Sequence, residues 1–146
     1  MVDRFTSAPI ELPAADRPFA RADLIFYGLD HSGASYEARV FVDQRGVGRE
    51  ADSGHRAYVG SFFILGHGGC FGDVGHCDIP RDRDPFDLRL AHQLEPALRI
   101  LTITEPLRGL LERGAEAAKV TVTAHTEGRA GNDVLAFETV RLATYA

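Results

Sequence analysis

Leu98-Arg99-Ile100-Leu101-Thr102-Ile103-Thr104-Glu105-Pro106-Leu107-Arg108-Gly109-Leu110-Leu111-Glu112-Arg113-Gly114-Ala115, followed shortly by Lys119-Val120-Thr121-Val122-Thr123-Ala124-His125, reads as strand, short helix, strand. The apolar run Ala97 to Ile103 is strand-like. The helix signals that follow agree with one another: Thr104 offers a capping hydroxyl, Glu105 and Pro106 suit a first turn, and Leu107, Leu110 and Leu111 form an apolar stripe. Arg113 suits the last turn and Gly114 the stop, so the pattern predicts a helix over 104–113. From Lys119 to His125 the period changes to two, as a half-buried strand requires.

Upstream, Asp23 to Leu29 is a short run rich in strand formers, and Ser35 to Val42 alternates with Tyr36, Ala38, Val40 and Val42 on one face. Asp30-His31-Ser32-Gly33 between them reads as a turn, and Ala57 to Leu65 as a third strand. Downstream, residues 127–132 turn the chain and Val134 to Thr144 forms the last strand. Six or more strands at short spacing, one helix and no βαβ rhythm predict a mainly β fold, an antiparallel β-sandwich or open barrel. Residues 1–22, punctuated by Pro9, Pro13 and Pro18, read as an extended N-terminal arm that either wraps the domain or links it to something else, leaving residues 23–146 as a single domain.

Composition narrows the function classes. A net charge of −5, with basic residues scattered, argues against nucleic acid as a partner. No run approaches the ~18 apolar residues of a membrane span, and Met1-Val2-Asp3-Arg4-Phe5 lacks the order of a secretory signal, so a cytoplasmic location is expected. Lys119 is the single lysine among sixteen basic residues, a bias that suggests a GC-rich bacterial gene.

The third strand runs directly into Gly66-His67-Gly68-Gly69-Cys70-Phe71-Gly72-Asp73-Val74-Gly75-His76-Cys77-Asp78, which holds both cysteines and two of the six histidines among five glycines. It opens a stretch from Gly66 to Pro96 without periodicity, roughly twice the length at which a structureless loop becomes uncommon. Thiolate and imidazole are ligands for copper and zinc, and glycine lets a backbone turn several of them toward one point. The candidate ligands are His67, Cys70, His76 and Cys77, with Asp73, Asp78, His31 and His92 as further donors. The spacing matches no zinc-finger signature. Two alternatives compete: a Cys70–Cys77 disulfide, which would stabilise by ~2 to 3 kcal/mol on the chain-entropy model, and buried, inert thiols. A Cys/His catalytic pair lacks any orienting third group or oxyanion hole in the sequence. Asp82, Asp84 and Asp87, interleaved with Arg81, Arg83 and Arg89, read most simply as a solvated, self-paired segment, with docking of a partner as an equal alternative.

Two segments, Tyr58 to His67 and Leu98 to Thr123, together with Ser35 to Val42, resemble the C-terminal β-sandwich domain of plant-type polyphenol oxidases, the tyrosinase-related type-3 copper enzymes. The resemblance runs in order over residues 23–144. It implies a domain that is not the catalyst by itself but sits over the dicopper site of a helical oxidase domain, shielding it until displaced. In fungal relatives cysteines in this region are implicated in copper loading. The chain departs from that pattern in lacking the helical domain and in carrying the Cys/His-rich insertion. The function expected from the resemblance is therefore an accessory domain that shields, stabilises or copper-loads such an oxidase, with that helical domain or a second copy as partner. Phe71 would then be a plug for the partner's copper pocket, against the ordinary reading of an aromatic folded onto its own core. Two other functions stay open: a stand-alone copper or zinc enzyme using the same loop, and a structural interaction domain with bridged cysteines.

Overall fold

A computed structural model describes residues 1–68, 74, 85–86, 88, 95–128 and 131–146. Among the described residues, eight strands and one helix follow in the order β1 (Arg4–Thr6), β2 (Ile10–Glu11), β3 (Arg21–Leu29), β4 (Tyr36–Asp43), β5 (Tyr58–Ile64), β6 (Ala97–Thr102), α1 (Thr104–Glu112), β7 (Ala117–His125) and β8 (Thr139–Tyr145). They form two antiparallel sheets. The larger has the order β1-β7-β4-β5, with β2 also on β7, and the smaller the order β6-β3-β8. Among the described residues no helix is long and apolar enough to cross a membrane.

The alternation read from β4 places Tyr36, Ala38, Val40 and Val42 in the core, all buried. In register with them, Val40 faces Val122 of β7 and Gly60 of β5. The opposing sheet contributes Leu24, Phe26 and Leu29 from β3, and Phe26 packs against Phe62 at 5.0 Å and edge-on to Phe137 at 5.6 Å. Such ring pairs add to the free energy of burying their area. The expected sandwich is present.

Helix α1 starts and stops where its sequence signals lie, but one signal acts differently. Thr104 is the first helical residue, and Ile103 precedes it with no side-chain cap. The Thr104 hydroxyl instead accepts a hydrogen bond from the Ala22 N–H of β3 at 3.1 Å, while the Ile103 N–H donates to the Ala22 carbonyl at 2.8 Å. The helix entry is thus stitched to the smaller sheet. At the other end Gly114, at φ +79°, donates to Leu111 O and Ala115 donates to Leu110 O, the paired bonds of a Schellman stop. Leu107 and Leu110 are buried beneath the helix, each contributing about 1.5–3 kcal/mol of apolar transfer.

The N-terminal segment is tied to the sheet: Arg4 to Thr6 pairs with Thr121 to Thr123, and Ile10 and Glu11 pair with Ala118 and Ala117. Strand β3 begins at Arg21. One boundary departs from the sequence pattern. The last strand begins at Thr139 rather than Val134, because Val134 and Leu135 pass into the core as irregular chain, with Leu135 bridged to Val2. The residues between β7 and β8 carry the chain from one sheet to the other.

Candidate functional site

The turn between β3 and β4 and the exit of β5 lie against each other and fix the root of the 66–96 loop. The turn is pinned by Asp30, whose carboxylate accepts from the Ser32 N–H at 2.8 Å and the Ser32 hydroxyl at 2.7 Å. Three consecutive amides leaving β5 then bond to it: Gly66 N–H to Ser35 Oγ at 3.0 Å, His67 N–H to His31 O at 3.0 Å, and Gly68 N–H to Gly33 O at 2.7 Å. Gly66 is required by proximity, since a Cβ there would lie 2.2 Å from Gly33 O and 2.4 Å from the Ala34 carbonyl carbon.

This stitching brings His31 beside His67, with ring centroids 6.0 Å apart and planes inclined by 32°. His31 is half-buried and His67 exposed. His31 Nε2 lies 2.7 Å from Glu95 O; because a carbonyl can only accept, Nε2 carries the proton and Nδ1 is left as the lone-pair nitrogen of the neutral ring. His31 therefore touches both ends of the loop, its backbone at His67 and its ring at Glu95.

Of the residues singled out in the sequence, His31 and His67 are brought together. Cys70, Phe71, Asp73, His76, Cys77, Asp78 and His92 lie outside the described residues, as do Arg81, Asp82, Arg83, Asp84, Asp87 and Arg89. Among the described residues no group of three or more His, Cys, Asp or Glu side chains converges as a metal site. His55 accepts from its own turn at Ala57 N–H, 3.1 Å, and packs edge-on to Phe41.

A second cluster, not anticipated from the sequence, occupies the outer face of the larger sheet next to this root. Register places Phe63, Glu37 and His125 in one row and Ser61, Arg39 and Thr123 in the next. Glu37 and Arg39 are ion-paired at 2.9 Å, both largely covered. The Arg39 hydrogen bond, aided by one from Ser61, holds the Glu37 carboxyl below its usual range against the opposing effect of burial. Burial, and then the Arg39 charge, push His125 down, and its Nε2 lies 3.0 Å from Thr123 Oγ1. Glu37, Arg39 and His125, with exposed Phe63 and Leu65, line an open cavity of about 650 Å³. Glu37 and Arg39 sit at the polar positions of an alternating strand, where solvent exposure is the ordinary expectation; only the register of three strands assembles them.

Beneath β4, the Tyr36 hydroxyl is buried without a hydrogen-bond partner among the described residues. Burial pushes its phenol up to about 12, with Asp30 adding to the shift and Arg99 opposing it.

No family model and no curated protein matches the chain. Solved structures do. Recombinantly expressed latent aurone synthase, a polyphenol oxidase, matches with a TM-score of 0.59 at 18% identity, over 98% of this chain and 24% of that one. The same enzyme from its natural source gives a TM-score of 0.59, 18% identity and the same shares. The chain thus spans about a quarter of the length of the structures it matches. The resemblance read from Tyr58 to His67 and Leu98 to Thr123 is borne out in three dimensions, and the chain has the fold of the β-sandwich domain of plant-type polyphenol oxidases.

Proposed function

We propose that this chain acts as an accessory β-sandwich domain for a tyrosinase or polyphenol-oxidase type copper protein, packing on a helical dicopper oxidase domain and shielding, stabilising or copper-loading it. The observation that carries this reading is the asymmetry of the match: nearly all of this chain corresponds to about a quarter of a latent polyphenol oxidase. A domain of that kind works on what the remaining three quarters contain. Exposed apolar side chains at the β5 exit and beyond it, Phe63, Leu65, Val74 and Leu88, supply surface of the sort that a partner covers.

Within this reading the loop engages copper through His67, Cys70, His76 and Cys77. Sulfur ligands suit Cu(I), and imidazoles also bind copper, so the histidines of a dicopper site can receive the metal from the loop thiolates. Phe71 is the residue this reading assigns as the plug for the partner's copper pocket.

Co-expression with a helical dicopper oxidase domain tests the proposal. The presence of this chain should lower the oxidase activity of the complex or raise its copper content, and a Cys70→Ala/Cys77→Ala variant should lose the copper effect. If the chain changes neither quantity, the accessory reading fails.

A further inference from the structure

We propose that His31 and His67 form a binding site for a divalent transition-metal ion of the zinc or copper class, placed where the 66–96 loop leaves and rejoins the sandwich. The site deepens the copper-handling reading above, yet it needs neither cysteine. Three observations carry it.

The first is preorganisation. The backbones that carry the two rings are held side by side, the His67 N–H bonded to His31 O and the flanking Gly66 and Gly68 amides bonded to Ser35 and Gly33. Little chain entropy remains to be lost when an ion joins them.

The second is protonation. A histidine that ligates a metal characteristically donates its other N–H to a carbonyl or carboxylate, which fixes the tautomer and raises ligand basicity. His31 already has that arrangement, with Nε2–H on Glu95 O and Nδ1 free to donate its lone pair. The His67 ring makes no hydrogen bond among the described residues, so no partner has to be displaced for it to turn.

The third is distance. With metal–nitrogen bonds of about 2.0–2.1 Å, two imidazoles on a tetrahedral ion have ring centres roughly 5 Å apart. The observed 6.0 Å requires closure of roughly 1 Å, within reach of side-chain rotation at an exposed histidine. Imidazole pairs suit zinc, copper and nickel, while magnesium and calcium prefer all-oxygen sites, so the ion belongs to the former group. Water completes the shell.

The test uses the full chain with Zn²⁺ and Co²⁺ as probes. In a Cys70→Ser/Cys77→Ser variant, Zn²⁺ should shift the ring nitrogens of His31 and His67 together in ¹⁵N spectra. Co²⁺ should bind it with visible d–d absorption and no thiolate charge-transfer band. His31→Ala and His67→Gln should each weaken that binding by about tenfold or more, whereas His55→Gln should not. The methyl spectra of each variant show that it is folded. If the cysteine-free variant leaves both rings unmoved, this site is refuted, and ion binding by the unmodified chain would then belong to the loop cysteines alone. If the unmodified chain binds neither ion, both this site and the metal-loop reading fall.

Discussion

Gly66 packs on the backbone of Gly33 so closely that a side chain of any size at position 66 would meet the Gly33 carbonyl oxygen, 2.2 Å from the position of a Cβ. Gly66→Ala cannot be absorbed by turning a neighbouring side chain, since all three nearest atoms are main-chain. The β5 exit must part from the β3–β4 turn, at a cost of about 1–3 kcal/mol in denaturant unfolding. The His67 and Gly68 amides, now protected by His31 O and Gly33 O, should exchange faster with solvent. Gly131→Ala, where a Cβ meets open space, serves as control and should be neutral or stabilise by up to about 1 kcal/mol.

Tyr36 is a core residue whose hydroxyl has no hydrogen-bond partner among the described residues. Tyr36→Phe should therefore be neutral or stabilising, because it removes a desolvated group that has no partner, whereas Tyr36→Ala should cost about 3–5 kcal/mol through the cavity it leaves. The same phenol predicts alkaline behaviour. Its folded pKa of about 12 lies above the ordinary value near 10. The folded state thus keeps a proton that the unfolded chain releases, and stability is lost as pH rises through that window. Urea midpoints between pH 9 and 11, measured for the native chain and the Phe variant, should diverge in this sense.

Thr104 and Gly114 separate two roles at the ends of α1. Thr104→Ala leaves the buried Ala22 N–H without its acceptor, which should cost about 1–3 kcal/mol and speed exchange at Ala22. Helical amides in the first turn should change less. Gly114→Ala places a Cβ at φ +79° and should cost about 1 kcal/mol, with no change in exchange at Ala22. Equal responses at Ala22 in the two variants would contradict the assignment of Thr104 to the sheet.

Asp23 is buried, and its carboxyl is held below the usual carboxylate range first by a hydrogen bond from Arg21, aided by Thr102, against the opposing effect of burial. A depressed folded pKa contributes stability that is complete above the unfolded carboxylate value of about 3.9 and is lost as pH falls below it. Asp23→Asn should reduce stability at neutral pH and flatten the decline in acid. His125, pushed down chiefly by burial, behaves in the same direction at higher pH. Stability falls as pH drops below the ordinary imidazole value of about 6.5, where the unfolded chain takes up a proton first. Arg39→Gln should raise the His125 pKa in an NMR titration.

Local periodicity carried the parts of the fold that the sequence made legible. Tyr36, Ala38, Val40 and Val42 alternate, and Leu107 and Leu110 recur at helical spacing, so each could be assigned a buried face without knowing its partner. Arg4–Thr6 and Ile10–Glu11 are too short to show a period and exist because β7 offers them an edge. Val134 and Leu135 read as strand because they are apolar, but their burial comes from crossing the sandwich rather than from a ladder. For the site, residue type sufficed to mark His31 and His67. Their adjacency required the register of the β3–β4 turn against the β5 exit, as the Glu37, Arg39 and His125 cluster required the pairing of three strands.

The pairing of Arg21 with Tyr145, and of the rest of β3 with β8, has a consequence for biosynthesis. A nascent chain emerging from the ribosome exposes β3 early, yet that strand cannot gain its second neighbour until almost the last residue of β8 has been translated. Contacts of such long sequence separation form slowly. Until then one backbone edge of β3 is open to pairing with other chains, and the growing polypeptide is vulnerable to aggregation there.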